Sequence, residues 1–373
     1  MKQITLAITQ LRKEKGITQG ELADYLGITY QAVSKWENGT TLPDISLLPA
    51  LASYFQVSVD QLLGLEPLKS DYIYRTTKTV AHWDNQLSYL QQTRDELWNE
   101  DYMAFLIQQV WRLHQPVSIL DFGCGYGYLG KLMLPLLPKG SSYTGIDASE
   151  TLITKARHNF KDSPYKTHFI QGDFNQVTTN QNYDIAICQA VLRHINNPYE
   201  ILKKMISSVT IGGKVICIEI NRALENASMY LDGLHFNSLS KNNALHKLWH
   251  CEMASEGRDH AIGMKLPFYM QDLGLTDIDV RMNDKVKFIT PKQASYHTTK
   301  EKFIQANHHG HTLSPQEKEK IITLFMNRGT SREEAESYIL DEEKITQYIK
   351  EHQHNLSILK ALCLIISFGT KVK

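Results

Sequence analysis

A short apolar run followed at once by alternating glycines is the feature that most constrains how this chain folds. Residues 117–130 read Val-Ser-Ile-Leu-Asp-Phe-Gly-Cys-Gly-Tyr-Gly-Tyr-Leu-Gly. The apolar run predicts a buried strand, and the glycines at alternate positions predict a turn that approaches a ligand closely. A helix predicted to start at Tyr128 would aim its free backbone N–H groups at this turn. The segment therefore predicts half of a nucleotide-type binding site.

The residues that follow alternate between strand and helix patterns, which indicates a doubly wound, mostly parallel sheet. Ligands of such sheets bind at the carboxyl edge. We expect a sixth strand at Asp277–Met282 and an antiparallel seventh at Lys285–Ile289. The second to fifth strands are predicted at Ser142–Ile146, Thr167–Gln171, Asp184–Cys188 and Lys214–Ile220.

An acidic residue lies at the end of each of the first three strands. Asp147 is placed to hold a ribose diol, and Asp173, followed by Phe174, suits an adenine. Residues 125–130 also fit the G-x-G-x-x-G pattern of dinucleotide sites. However, Asp121 precedes the glycines, and its carboxylate would repel a pyrophosphate and attract an ammonium. The residues therefore predict a ligand with an adenosine and an ammonium group.

Residues 117–221 resemble the class I S-adenosylmethionine-dependent methyltransferases. The resemblance is carried by the segments 119–127, 143–147, 171–174, 183–194 and 212–217. It implies a Rossmann-like seven-stranded sheet and S-adenosylmethionine as the cofactor. The cofactor-binding residues that it implies are Asp121, Gly123, Cys124, Gly125, Asp147, Ala148, Gly172, Asp173, Phe174 and Gln189.

Methyl transfer from a sulfonium depends chiefly on alignment of the reacting atoms, and an oxygen or nitrogen acceptor also needs a proton removed. His194, in the loop after the fourth strand, is the first candidate for this base, although it could instead order the loop or contact the cofactor. Glu219 is the second candidate. Amino-methylating DNA enzymes resemble one another in an Asn/Asp-Pro-Pro-aromatic run, which here reads Gln-Ala-Val-Leu at residues 189–192, and no cysteine follows a proline. We therefore expect a small-molecule acceptor.

Residues 1–66 predict five helices with a helix-turn-helix at their centre. Thr18 and Glu21 form a potential capping box, and a third helix begins after Thr29 and ends at Asn38-Gly39. The run Ser-Lys-Trp-Glu-Asn-Gly at residues 34–39 resembles the Cro/C1-type (XRE-like) helix-turn-helix family. The resemblance implies binding of double-stranded DNA: Gln19 would contact a phosphate, Tyr30, Gln31 and Lys35 would face base edges, and Ser34 and Asn38 would lie near the DNA backbone.

Charge limits how such a unit binds DNA. Residues 1–66 carry five basic and seven acidic residues, whereas affinity for DNA comes largely from neutralised phosphates. A single copy would bind weakly, and specific binding would need two half-sites read by two copies. We therefore expect a homodimer.

The chain is predicted to be a helix-turn-helix domain (residues 1–66), a linker with lead-in helices (67–100), a methyltransferase domain (101–290) and a helical C-terminal extension (291–373). Residues 222–272 are predicted to form a helical cap over the sheet edge. Five dispersed cysteines without a CxxC indicate reduced thiols. The spacing of His308, His309 and His311 does not predict a metal site. The absence of a signal core or an apolar span predicts a cytoplasmic protein that does not bind membranes.

Two functions follow from this combination of domains. The first is an enzyme that methylates a small molecule and carries a DNA-binding module. The second is a transcriptional regulator whose methyltransferase-like domain senses S-adenosylmethionine or a metabolite.

Overall fold

A computed structural model describes residues 6–15, 17–55, 57, 59–63, 83–84, 87–94, 97–173, 177, 182–195, 197–235, 243–256, 258–307, 309 and 311–373. The chain divides into two compact units, residues 1–73 and 74–373. The predicted boundary after residue 66 lies outside the described residues. Within the described part, no helix is both long enough and apolar enough to cross a membrane.

The first unit is helical. Its described helices are α1 (Ile8–Glu14), α2 (Gln19–Leu26), α3 (Tyr30–Glu37), α4 (Leu48–Phe55) and α5 (Val59–Leu62), with a 3₁₀ turn at Ile45–Leu47. The predicted capping box is present, because the hydroxyl of Thr18 accepts from the amide of Glu21 while the Glu21 carboxylate accepts from the amide of Thr18. Gly27 ends α2 in the left-handed conformation, at φ 67°. These local signals set the angle between α2 and α3.

The apolar faces of these helices meet in one core. Val33 and Trp36 of α3 are buried, as their spacing predicts, and they pack with Leu22 and Leu51. Burial of four such side chains contributes on the order of 6–12 kcal/mol before the entropy of ordering the chain is subtracted.

The second unit is built on a seven-stranded sheet. Its strands are β1 (Ser118–Phe122), β2 (Ser142–Asp147), β3 (Lys166–Gln171), β4 (Tyr183–Gln189), β5 (Val209–Ile220), β7 (Thr276–Met282) and β10 (Leu364–Thr370). Their order is β3-β2-β1-β4-β5-β10-β7. The first five are parallel, and β10 runs antiparallel to β5 and β7. The predicted fold class is confirmed by this topology.

The prediction that residues 285–289 form the seventh strand is wrong. Strand β8 (Val286–Ile289) instead joins β6 (Met229–Leu231) and β9 (Ile358–Ala361) in a smaller antiparallel sheet of order β6-β9-β8. The physical reason is visible in the burial patterns. Residues 364–369 are all buried, as a strand between two others in a covered sheet must be, whereas β8 buries only Ile289.

The C-terminal part of the chain therefore returns to the main sheet. Helices α14 (Tyr296–Ala306), α15 (Pro315–Met326) and α16 (Arg332–Glu351) precede β9 and β10. Phe303 and Ile349 pack against the buried face of the smaller sheet. The methyltransferase domain was predicted to end at residue 290. The main sheet extends beyond this boundary, because residues 364–370 form the sixth strand in the order of the sheet.

The described part of the second unit contains further helices. They are α6 (Leu87–Arg94), α7 (Glu100–Phe105, continued by a π-helix at Leu106–Val110), α8 (Tyr128–Met133), α9 (Glu150–Asn159), α10 (Pro198–Ser208), α11 (Arg222–Ala227), α12 (Asn243–Glu256) and α13 (Ile262–Asp272). Of the segment predicted as a cap, α12 packs against α15 and α16. Helix α13 is not part of a cap over the edge, because Gly263 lies against Glu219 and Ile365 on the sheet.

Candidate functional site

A cavity lies at the carboxyl edge of β1, β2 and β4. Side chains and backbone from distant parts of the sequence line it together. The predicted residues in its wall are Asp121, Gly123, Cys124, Gly125, Asp147, Ala148, Gln189 and His194. The structure thus brings most of the predicted cofactor residues, and the predicted catalytic residue, to one place.

Two of the predicted cofactor-binding residues, Gly172 and Asp173, do not line this cavity. Gly172 and Asp173 follow β3, and the amide of Gly172 donates to the carbonyl of Asp147 at 2.9 Å. Neither residue is among the described residues that line the cavity. Phe174 lies outside the described residues.

One wall of the cavity was not predicted from the sequence. Trp83, Leu90 and Arg94 line it from the segment that precedes the sheet. Leu90 packs against Tyr126 and Leu152, which belong to the glycine turn and α9. The signal in the sequence is a tryptophan and an arginine within a polar stretch, which was predicted only as part of the linker with lead-in helices (67–100).

Asp121 is the most unusual ionisable group of the cavity. Its side chain is buried, and Oδ2 accepts a hydrogen bond from the phenol of Tyr143 on β2. Oδ1 is buried and has no hydrogen-bond partner among the described residues. Burial raises the pKa of Asp121 to about 8, because it disfavours the charged carboxylate more than the Tyr143 phenol favours it.

Asp147 is held firmly by the backbone of the same site. Oδ2 accepts from the amide of Gly125 at 2.8 Å, and Oδ1 accepts from the amide of Ser149 at 2.9 Å. The Ser149 hydroxyl in turn donates to Asp84, which fixes the segment before the sheet to this loop. Burial raises the pKa of Asp147 despite these hydrogen bonds. The carboxylate of Asp147 is therefore preorganised at the tip of β2.

The loop after β4 forms the opposite wall. Gln189 Oε1 accepts from the indole Nε1 of Trp98 at 2.8 Å. Ala190 adopts a φ of 55°, a conformation that residues with a Cβ rarely adopt and that clusters at functional sites. Val191 lies against Gly123, where an added Cβ would be 2.6 Å from Val191 Cγ2. The glycine turn and this loop are thus packed directly on each other.

Glu219 fixes this loop by accepting hydrogen bonds from its backbone. It is fully buried at the end of β5, and Oε1 accepts from the amides of Val191 and Leu192 at 2.9 and 2.7 Å. Oε2 is buried, and within the described part of the chain it has no hydrogen-bond partner. Burial raises the pKa of Glu219 to about 7. Its carboxylate does not reach the cavity wall but fixes residues that form it.

His194 is tied to its neighbour in the chain. Arg193 Nε donates to His194 Nε2 at 2.9 Å, so Nε2 carries no proton and the proton of the neutral ring resides on Nδ1. Burial and the surrounding arginines lower the pKa of His194 well below its usual value. The edge of the ring meets Trp83 at a centroid distance of 5.2 Å. Proton removal by Nε2 would require that Arg193 first release this nitrogen.

In the first unit, the predicted base-reading residues lie on the exposed side of α3. Tyr30 is 53% exposed, and Gln31 and Lys35 are also exposed. Ser34 is half-buried and accepts from the side-chain amide of the exposed Asn38 at 3.5 Å. The start of α3 therefore presents polar groups outward while Val33 and Trp36 anchor its other face.

Gln19 occupies a different position from these residues. Its side-chain amide donates to Glu37 Oε2 at 2.6 Å, and the same carboxylate pairs with Arg12 at 2.5 and 3.0 Å. This network links the first three helices. The contact of Gln19 with a phosphate stays a prediction, since the described contact of its side chain is internal.

Family comparisons agree with both units. Residues 113–285 match the model of a methyltransferase domain, and residues 8–62 match a helix-turn-helix model. The predicted combination of domains is confirmed by these two matches.

Individual relatives match over shorter stretches. The chain is 28% identical over 123 residues to a ubiquinone biosynthesis O-methyltransferase of Rickettsia canadensis, covering 32% of this chain and 51% of the relative. It is 35% identical over 107 residues to the protein of the same name from Hydrogenovibrio crunogenus, covering 28% and 43%. The chain thus spans about half the length of the curated relatives it matches.

A solved structure similar to this chain is phosphoethanolamine N-methyltransferase 2 of Haemonchus contortus in complex with S-adenosyl-L-methionine. The TM-score is 0.45 at 13% identity, covering 81% of this chain and 61% of that one. The family matches and the topology of the sheet lead to one conclusion: this chain joins a helix-turn-helix domain to a methyltransferase domain.

Proposed function

We propose that the chain is an S-adenosylmethionine-dependent methyltransferase that acts on an oxygen or nitrogen atom of a small molecule. The observation that carries this proposal is the position of Asp121 and Asp147. Both carboxylates flank the glycine turn at neighbouring strand tips and line the same cavity as Gln189 and His194. A dinucleotide would place its pyrophosphate beside these carboxylates, whereas a nucleoside with an ammonium group is attracted to them.

The residues present fit S-adenosylmethionine. No described residue donates a hydrogen bond to Oδ1 of Asp121, and the ammonium of the methionine moiety would supply this donor. Asp147 would accept from the ribose hydroxyls with the lone pairs left by Gly125 and Ser149. Arg94 lines the cavity near Tyr126 and Tyr128, and its guanidinium would bind the methionine carboxylate.

When bound, the cofactor supplies an electrophilic methyl group on a sulfonium. The residues of this chain would contribute alignment, which is the main requirement of an in-line displacement. Gln189 at the end of β4 and His194 on the loop after it would face the acceptor, and Glu219 would keep that loop in place through its two backbone hydrogen bonds. Oxygen as the accepting atom is supported by the names of the curated relatives, which are O-methyltransferases.

Calorimetry with S-adenosylhomocysteine and turnover of methyl-labelled S-adenosylmethionine in a metabolite extract test this proposal. We expect binding of the nucleoside and label transferred to a small molecule. Uptake of a nicotinamide coenzyme without binding of S-adenosylhomocysteine would contradict it.

We further propose that residues 8–62 bind double-stranded DNA as part of a homodimer. Support comes from the helix-turn-helix match and from the exposed polar start of α3. The excess of acidic residues in residues 1–66 favours two copies that read two half-sites.

The helix-turn-helix match also favours the second candidate, a regulator that senses S-adenosylmethionine or a metabolite. The two functions predict different results. An enzyme transfers label to a metabolite, whereas a sensor leaves the label in place and changes its affinity for DNA when S-adenosylmethionine is added.

A further inference from the structure

Strand β7 forms one edge of the main sheet. It pairs with β10 on one side, and no strand in the described part of the chain pairs with it on the other side. Five of its seven residues are exposed, so neither face of this strand is well covered. An open edge strand presents unpaired backbone groups to which another strand can add. The outer edge of β7 is therefore a surface for pairing with a further chain.

The backbone of Val280, in the second half of β7, is directed at this open edge. In an antiparallel pair, successive residues alternate between facing the partner strand and facing away from it. Asn283 faces β10, because its amide donates to the carbonyl of Leu364 at 3.0 Å. Two positions that alternate with it, Met282 and Val280, therefore face away from β10.

The two charged neighbours of Val280 satisfy its backbone groups. The amide of Val280 donates to Asp279 Oδ1 at 2.8 Å, and its carbonyl accepts from Arg281 Nη1 at 3.5 Å. The two side chains also pair with each other at 2.7 Å, and they are 44% and 43% exposed. Exposed ion pairs contribute little to stability, so a second strand can replace these contacts. Charges on an edge strand also oppose unselective pairing.

The order of residues in β7 is complementary to itself. Residues 278–282 read Ile-Asp-Val-Arg-Met, with one charge of each sign on either side of Val280. When two copies pair antiparallel about a two-fold axis at Val280, Asp279 of each copy lies opposite Arg281 of the other, and Ile278 lies opposite Met282. An axis at Asp279 or at Arg281 would instead oppose two like charges. The charges therefore select one register for pairing between two copies.

Large apolar side chains stay exposed on one face of this edge. Met282 lies opposite Ile365 of β10, so both side chains project to the same face of the sheet. Helix α13 packs on that face, because an added Cβ on Gly263 would lie 3.1 Å from Ile365 Cβ. Met282 is 47% exposed, and Phe268 on α13 is 70% exposed. Exposed apolar side chains grouped on one face are typical of a protein-binding surface.

We infer that the chain forms a homodimer in which β7 of one copy pairs antiparallel with β7 of a second copy, about a two-fold axis at Val280. This inference rests on the homodimer in the proposed function and gives that homodimer an interface. The backbones of the two Val280 residues would exchange a pair of hydrogen bonds. Asp279 and Arg281 would form two ion pairs between the copies, and the exposed side chain of Met282 would be covered by Ile278.

Exchange of the two charges tests this register. D279R leaves only basic groups at the two positions, and R281D leaves only acidic groups, so each variant opposes like charges when it pairs with itself. Sedimentation of the full chain at several concentrations measures the dimer Kd. We expect the Kd of each variant to rise about tenfold or more. An equimolar mixture of D279R and R281D, and the double variant D279R/R281D, should form dimers again, because opposite charges then meet in the same register.

Two further variants separate the edge from general effects of substitution. V280P removes the amide directed at the open edge and leaves the hydrogen bonds to β10, so it should weaken the dimer as well. R332D is the matched control, because Arg332 on α16 is 50% exposed and pairs with Glu336, and its dimer Kd should equal that of the native chain. The thermal midpoint and binding of S-adenosylhomocysteine are measured for every variant and should be unchanged, since β7 does not line the cavity.

The outcomes distinguish this interface from the homodimer itself. A dimer that persists in D279R and R281D would overturn the inference and leave the proposed homodimer standing with another interface. A native chain that stays monomeric at every concentration would remove both. Dissociation of the two variants without recovery in their mixture would also overturn the inference, because charge repulsion would then not be the cause. Label transfer from S-adenosylmethionine, measured on the same samples, tests the enzymatic function separately.

Discussion

The phenol of Tyr143 on β2 donates a hydrogen bond to Asp121 Oδ2 on β1, and the other oxygen of that carboxylate is buried with no hydrogen-bond partner in the described part of the chain. Gly130 makes this contact possible, because an added Cβ there would lie 2.9 Å from Tyr143 Cε1. The pKa of Asp121 is raised to about 8 by burial, so the carboxyl group is largely protonated at neutral pH before a ligand binds.

Binding of S-adenosylhomocysteine should therefore release a proton. The ammonium of the ligand favours the ionised form of Asp121, so affinity is expected to rise by up to about tenfold per pH unit between pH 6 and 8 and to level off above. Calorimetry in two buffers of different ionisation enthalpy measures the released protons.

The control for this effect is D121N, in which the side chain does not titrate. We expect weaker binding by about tenfold or more, since an unpaired ammonium is left beside an amide, and no pH dependence from this position. A native pH profile in D121N would contradict the assignment.

G123A is expected to weaken S-adenosylhomocysteine binding by about tenfold or more, since an added Cβ would displace Val191 and the loop after β4. That Cβ would lie 2.6 Å from Val191 Cγ2, at a φ of 72°. G274A is the matched control, because Gly274 has a similar φ of 80° but no heavy atom within 4 Å of an added Cβ. Equal losses in the two variants would show that backbone strain alone is responsible.

Glu219 should make the stability of the ligand-free protein depend on pH. Its pKa is raised from 4.5 to about 7 in the folded protein, so the folded state binds more protons than the unfolded state between these values. The free energy of unfolding is then expected to fall as pH rises through this window, by at most about 3 kcal/mol from this group.

Chemical denaturation of E219Q checks this expectation. Glutamine keeps an oxygen that accepts from Val191 and Leu192, so the loop is retained while the pH dependence decreases. E219A, which leaves both amides without this acceptor, should lose stability at every pH by about 1–3 kcal/mol. A native pH slope in E219Q would exclude Glu219 as its source.

H194N distinguishes two roles of His194. The asparagine amide nitrogen takes the place of Nδ1–H, so activity should stay within about tenfold if the ring only positions the acceptor. Loss of about 10²–10⁴-fold in kcat would instead identify His194 as the base. Unchanged S-adenosylhomocysteine binding is required for either conclusion.

K35A should weaken binding to operator DNA by about 1–3 kcal/mol, since Lys35 lies on the exposed side of α3 with Gln31. K13A is the control, because Lys13 is an exposed basic residue of α1 outside the predicted reading surface. Binding is measured at several salt concentrations with two half-sites and with one. Equal effects of K35A and K13A would contradict the proposed reading surface.

Local patterns predicted the elements that carry the site. These elements are the glycine turn, the capping box of α2 and the parallel strands up to β5. Each depends on residues that are close in sequence, so its residue pattern is sufficient to predict it. The cluster of Asp121, Asp147 and Gln189 was also predictable, because parallel strands bring their carboxyl ends to one edge.

What the sequence by itself determined was therefore a helix-turn-helix segment, a doubly wound sheet and carboxylates around a glycine turn. Only the tertiary structure decided that residues 364–370 complete the sheet, that Arg94 and Trp83 wall the cavity, and that Glu219 fixes the loop after β4 through the amides of Val191 and Leu192. The reason is that these features depend on which surfaces are buried against each other across more than 100 residues. Periodicity reports which side of an element is apolar, but it does not name the partner that covers that side.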